Sequence, residues 1–205
     1  MLLSRWADAA HAIRSGRVHQ ECNFVPAQLV TELRGTLRNH AFTSGESFSS
    51  DGSRDNLRSA LTAKPDVNDD IFYELYERLD DTREELARSL AIELSTGFEA
   101  TWVIYPNGGY YRRHIDSVSG ADQPTAPRAI SFIAYLNEAS RPWTPSDGGE
   151  LRCYCNAPSS DADDDEFIDV APESGSLVLF DSKRVFHEVL PTHRERTCLV
   201  GWFRV

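Results

Sequence analysis

The chain has no run of apolar residues long enough to cross a bilayer, which takes roughly eighteen or more. Residues 1–10 carry one Arg and an early Asp8 but no apolar h-region, so no secretory leader is read there and a cytoplasmic protein is expected. Positive charge is also short. Lys and Arg number 21 against 32 Asp and Glu, for a formal net charge of -11. A nucleic-acid binder needs a basic surface to meet phosphates, so that partner class is disfavoured. The four cysteines, Cys22, Cys153, Cys155 and Cys198, form no CxxC pair, which argues against a zinc module. They read as reduced thiols in small apolar spaces. No internal repeat is present, and the acidic run 161–166 lacks EF-hand spacing, so it reads as a solvated hairpin loop.

What remains is an ordinary soluble composition, 40% apolar and 26% charged over 205 residues, enough for one well-buried core. Residues 1–97 read as a helical support region. Apolar residues recur at helical spacing over 3–13, 26–37 and 71–94, with Leu29, Val30, Leu33 and Leu37 on one side of the second helix. Between the second and third helices the sequence turns polar. Residues 44–67 open with Ser44, Gly45, Ser47, Ser49, Ser50 and Gly52, a composition expected of a mobile loop that closes over a bound substrate.

Residues 98–205 change character. Short β-rich runs at 100–105, 110–115, 129–136, 150–154, 167–170, 176–180, 186–190 and 197–205 are separated by Gly, Pro, Asp or Asn. Eight evenly spaced short strands suit a sandwich or barrel and fit a jelly roll. His114 and Asp116 lie two apart in one of these runs, so their side chains share a face. His187 opens a later run. Two histidines and one carboxylate can form a facial triad that leaves three positions open on Fe(II), although zinc accepts the same ligands. In the last run Arg196, Cys198, Val200 and Trp202 share one face and Thr197, Leu199, Gly201 and Phe203 the other. Arg196 thus extends a row that is otherwise apolar or aromatic, and if that row is interior its guanidinium needs an anion. The partner is either a bound carboxylate or an internal Asp or Glu.

These residues carry a resemblance. Residues 105–116 (YPNGGYYRRHID), 128–137 (RAISFIAYLN), 148–152 (GGELR), 175–180 (GSLVLF) and 187–191 (HEVLP), with Arg196 and then Trp202 beyond, resemble the prolyl 4-hydroxylase-like branch of the Fe(II)- and 2-oxoglutarate-dependent oxygenases. The likeness is greatest to the hypoxia-factor prolyl hydroxylases and their bacterial relatives. It covers residues 98–205 and implies an α+β fold, a double-stranded β-helix (jelly-roll) core with the N-terminal helices packed on one sheet in one integrated structural domain. It implies that His114, Asp116 and His187 bind iron, and that Arg196, helped by the Tyr135 hydroxyl, pairs with the distal carboxylate of 2-oxoglutarate. Tyr105 is implied near the chelating end of the co-substrate, and Trp202 as a pocket wall or a core filler. The other histidines, His11, His19, His40 and His193, read as exposed. The implied reaction is hydroxylation driven by oxidative decarboxylation of 2-oxoglutarate with O2, with ascorbate as a possible aid, and Asp116 favours hydroxylation over halogenation. A prolyl residue in a peptide or protein is the expected substrate. A free amino acid or natural-product intermediate is the alternative, and a jelly-roll binding module without catalysis is the reading from a different class.

Overall fold

In a computed structural model of the chain, residues 6–44, 57–117, 126–155 and 166–205 are described. Helices α1 (Ala7–Arg14), α2 (Ala27–Leu37) and α3 (Asp70–Leu90) precede most of the strands. Pro26 caps α2 from an extended conformation, and the Asp69 carboxylate caps α3 by accepting from the Ile71 N–H. The third helix is shorter than its apolar spacing suggests. Ala91 turns left-handed at φ 54° and hands the chain to a loop, so Ile92 and Leu94 fall outside the helix.

The strands form two antiparallel sheets. The larger has β1 (His19–Glu21), β10 (Leu177–Asp181), β7 (Arg128–Tyr135), β12 (Arg196–Arg204), β5 (Glu99–Tyr105), β4 (Leu61–Ala63) and β2 (Thr43–Ser44) in that order. The smaller has β3 (Arg58–Ser59), β6 (Tyr110–His114), β11 (Phe186–Val189), β8 (Leu151–Tyr154) and β9 (Phe167–Val170). From β5 through β12 the chain passes back and forth between the sheets, except for the β8–β9 hairpin within the smaller one, which gives a jelly-roll sandwich rather than a closed barrel.

Alternation along β7 and β12 makes two cores from one sheet. Leu199 and Phe203 of β12, with Ile130, Phe132 and Ala134 of β7, face the helices and pack with Leu33, Leu75, Leu79 and Leu86. Each such fully buried side chain contributes about 1.5–3 kcal/mol. Gly201 is obligatory in this layer, because a Cβ there would lie 2.2 Å from the Phe132 ring. The opposite face, with Val103, Ile133, Tyr135 and Cys198, meets Leu151, Cys153 and Val189 of the smaller sheet. The functional residues lie in this second layer.

The polar stretch 44–67 is tied down at both ends. Ser44 pairs with Leu61, Arg58 and Ser59 pair with β6, and Ala60 is buried where the chain crosses from one sheet to the other. The Ser/Gly-rich part of the expected loop, 45–56, lies outside the described residues, as does 156–165, which holds most of the acidic run joining the paired strands β8 and β9. All four cysteines are free thiols. His40 departs from the expectation of exposure: it is half-buried with its ring edge-on to Trp102 at 6.3 Å. His19 is likewise half-buried.

Candidate active site

β6 ends at His114, and its pairing with β11 is irregular. His187 pairs with His114 and Val189 with Tyr111, so one step on β11 is matched by an extra residue on β6. This bulge turns Tyr111 and His114 to the same side, where a regular strand would point them apart. The Tyr111 ring lies flat on the His114 imidazole, with centroids 3.7 Å apart and planes 21° apart. His187 sits opposite, its ring centroid 4.2 Å from that of His114.

Hydrogen bonds from Nδ1 settle which ring nitrogens are free. His114 Nδ1 donates to the Arg112 carbonyl at 2.9 Å and His187 Nδ1 to the Val185 carbonyl at 3.1 Å. Both Nε2 atoms are then lone-pair donors, as metal ligation requires. Asp116 stands between them. Its Oδ1 is 3.5 Å from His114 Nε2 and its Oδ2 is 3.7 Å from His187 Nε2. One donor atom from each of the three residues lies within 4.8 Å of the others, so the trio could hold one metal ion.

The electrostatics suit ligation. Burial favours the neutral carboxylic acid in Asp116, but the adjacent His187 and His114, with the Ser131 hydrogen bond, outweigh it and hold the carboxyl below its usual range. Burial, with the charge of His114, pushes His187 down to about 4, so its ring is neutral near pH 7. Ser131 Oγ donates to Asp116 Oδ2 at 2.7 Å and contacts Ser182 Oγ at 2.8 Å. Arg128 Nη1 donates to the Asp116 carbonyl at 3.3 Å while its Nη2 pairs with Glu99 Oε1 at 2.9 Å.

These groups open into a cavity of about 220 Å³. Tyr105, His114, Asp116, His187, Arg196 and Trp202 all line it, so six of the seven residues singled out from sequence meet in one place. Tyr135, the seventh, lies behind Arg196, fully buried, and its hydroxyl accepts from Arg196 Nη2 at 3.1 Å. Arg196 is 1% exposed and forms no ion pair among the described residues. The internal-acid alternative therefore finds no partner there. The guanidinium is held by Tyr135, by Cys198 Sγ at 3.4 Å and by the Tyr105 and Tyr135 rings, each centred 4.9 Å from Cζ, while its Nε has no partner. Burial works against its charge, but the surrounding phenols and thiol keep the pKa raised, so it stays a cation. Burial pushes the Tyr105 phenol up to about 12, leaving it a neutral hydrogen-bond donor. Trp202 is both wall and platform, with Arg128 stacked 3.5 Å above its ring.

Sequence reasoning missed four contributors. Ser131 is the one serine in the cavity-facing row of β7, which it shares with Ile133 and Tyr135, a signal that could have found it. Tyr111 and Arg128 stand in the quoted motifs without a role until the bulge and the stacking are seen. Arg58 also lines the cavity, from a two-residue strand whose composition carries no period.

The fold and this set of side chains define a jelly-roll enzyme with a His-x-Asp…His cluster beside a buried arginine. The chain belongs to the 2OG-Fe(II) oxygenase superfamily, whose profile matches residues 100–204. Members use Fe(II), 2-oxoglutarate and O2, and this chain is a 2-oxoglutarate-dependent dioxygenase. It is similar to a Pseudomonas putida prolyl-4-hydroxylase at 31% identity, with a TM-score of 0.78 over 97% of each chain. A Trichoplax adhaerens prolyl hydroxylase, solved with a hypoxia inducible factor peptide fragment, shares the fold at 20% identity and TM-score 0.74, over 98% of this chain and 94% of that one. A prolyl 3,4-dihydroxylase, OGFOD1, from Ostreococcus tauri is 30% identical over 105 residues, 49% of this chain and 19% of that protein. The chain thus spans a minor part of that relative's length. No described helix is long and apolar enough to cross a membrane.

Proposed function

We propose that this chain hydroxylates prolyl residues in a peptide or protein, with His114, Asp116 and His187 holding Fe(II) and Arg196 anchoring 2-oxoglutarate. The observation that carries the site assignment is the meeting of three metal donors and one unpaired buried guanidinium in a single cavity. The prolyl substrate rests on the match over 97% of both chains to the bacterial prolyl-4-hydroxylase.

Each residue has a task that follows from its surroundings. His114 and His187 present neutral Nε2 lone pairs because their Nδ1 protons are committed to backbone carbonyls. Asp116 supplies the anionic donor and is kept ionised by its histidine neighbours and Ser131. Iron held by His114, Asp116 and His187 would supply the chemistry that turns O2 and 2-oxoglutarate into succinate and carbon dioxide while a substrate C–H becomes C–OH. Arg196 offers paired N–H donors to the distal carboxylate at the cavity floor. Tyr135 fixes the guanidinium plane, and the neutral Tyr105 phenol faces the same space as a donor. Val103, Ile133, Leu151, Val189 and Val200 add an apolar stretch to the wall, which limits water around the reacting groups.

Incubation with Fe(II), 2-oxoglutarate and ascorbate tests the reading, with succinate and peptide mass followed together over prolyl peptides and free proline. Succinate release coupled to the gain of one oxygen in a prolyl peptide is expected. Oxygen gain in free proline and in no peptide overturns the substrate assignment and leaves the free-amino-acid reading.

A further inference from the structure

The cavity holds one cation more than the assigned chemistry uses. Among the described residues three arginines line it, Arg58, Arg128 and Arg196, and Asp116 is the single carboxylate in its wall. Arg128 has a carboxylate partner in Glu99 at 2.9 Å, which it shares with Arg204. The two charges of Fe(II) and the two of 2-oxoglutarate would cancel, and Asp116 would offset one of Arg58 and Arg196. At least one positive charge is left over, in a protein whose formal net charge is -11.

Arg58 is the group that carries it. It lies on β3 opposite Tyr111, and its guanidinium carbon is 5.1 Å from the Tyr111 ring centroid. Tyr111 is the residue stacked on His114, so Arg58 stands one aromatic ring away from the metal donors. Its Nε is buried and has no hydrogen-bond partner, and it makes no ion pair with any described carboxylate. Burying a guanidinium nitrogen without an acceptor is costly unless an acceptor arrives with the ligand. Arg196, 1% exposed, lies at the floor, whereas Arg58 is half-buried and is the more solvent-accessible of the two. The co-substrate carboxylate is therefore met by Arg196, and the anion that reaches Arg58 comes in with the substrate.

We propose that Arg58 is a specificity residue that receives a carboxylate of the substrate, so that the enzyme selects prolyl residues with an acidic side chain close by. The assignment rests on the prolyl-peptide reading above and deepens it. Tyr111 holds the Arg58 cation over its ring and stacks on His114, so an acid bound by Arg58 fixes the neighbouring residue in register with the metal.

The test uses the iron-loaded chain with 2-oxoglutarate and peptides of equal length. Each has a central Pro, and Asp, Asn or Lys is moved through the flanking positions. A parallel series takes free aspartate and glutamate against asparagine and glutamine, read by stimulated succinate release. At one flanking position the unaltered chain hydroxylates the Asp peptide about tenfold faster than the Asn peptide. Arg58→Gln erases that preference, Arg58→Lys retains part of it, and Arg58→Glu turns it toward the Lys peptide. The half-saturating 2-oxoglutarate concentration rises far less than on loss of Arg196, and circular dichroism with iron content equal to that of the unaltered chain shows that the variants are folded. A preference for acids in the free series alone, lost in Arg58→Gln, keeps the Arg58 assignment and removes the prolyl one. Three results overturn the assignment: indifference to acids in both series, an Asp preference that survives Arg58→Gln, or a half-saturating 2-oxoglutarate concentration raised as steeply as by loss of Arg196. The last makes Arg58 a second co-substrate anchor.

Discussion

Arg196 and Tyr135 meet at the floor of the cavity, Nη2 to hydroxyl oxygen at 3.1 Å, both out of contact with solvent. Tyr135 is a neutral partner, so the pair retains a full positive charge that only a ligand can balance. Arg196→Leu is expected to raise the half-saturating 2-oxoglutarate concentration steeply, because loss of a charge-assisted pair in a dry site costs about 2–5 kcal/mol. Tyr135→Phe removes one hydrogen bond and leaves the charge, for a loss of about 1 kcal/mol. Titrating the co-substrate at fixed iron measures both. Equal and small effects would place the carboxylate elsewhere.

His114→Ala, Asp116→Ala and His187→Ala are each expected to lose iron and turnover while staying folded, since two donors hold a weakly bound divalent ion poorly. Metal content after gel filtration, with circular dichroism on the same sample, checks this. An alanine variant that retains stoichiometric iron removes that residue from the ligand set.

Ser131 acts on the metal only through Asp116 Oδ2. Ser131→Ala is expected to weaken iron affinity by about tenfold, the lower end of the effect of losing an outer hydrogen bond to a ligand. Turnover at saturating iron should recover, because no reacting atom has been removed. A variant whose turnover stays low at every iron concentration shows that Ser131 does more than hold the carboxylate.

Glu99 joins Arg128 and Arg204 at the far side of the site. Burial alone raises its pKa, but the Arg204 and Arg128 contacts dominate and lower it. A carboxyl with a depressed folded pKa contributes stability above its unfolded value, and the contribution disappears as pH falls through the folded one. Glu99→Gln is expected to cost about 1 kcal/mol at pH 7. The gap to the unaltered chain should close below about pH 4. Urea melts across pH measure this, and a gap that widens in acid has the wrong sign for the account.

The core strands were legible because burial on both faces gives short, nearly continuous apolar runs bounded by turn residues. The run at 197–205 is one, with Leu199 and Phe203 set against Cys198 and Val200, and β12 places those two pairs in opposite cores. The short N-terminal edge strands were not legible, although β9, at the edge of the smaller sheet, was. β1, β2 and β3 consist of His-Gln-Glu, Thr-Ser and Arg-Ser, polar pieces whose pairing comes from the neighbouring strand rather than from any apolar period. Arg58 was lost with them. His114, Asp116, His187 and Arg196 could be picked out by residue type and spacing, whereas Ser131 and the Tyr111 stack depend on register and on a bulge that no local pattern announces.

The central claim is that the His114–Asp116–His187 centre couples 2-oxoglutarate oxidation to hydroxylation of a prolyl residue. Its most direct measurement follows isotopically heavy dioxygen through single turnovers with Fe(II), 2-oxoglutarate and an acid-flanked prolyl peptide. The account predicts one heavy atom in succinate and one in the peptide, with both signals absent in Asp116→Ala. Heavy label in succinate with none in any prolyl peptide contradicts the prolyl substrate, and both labels surviving in Asp116→Ala contradict the metal centre.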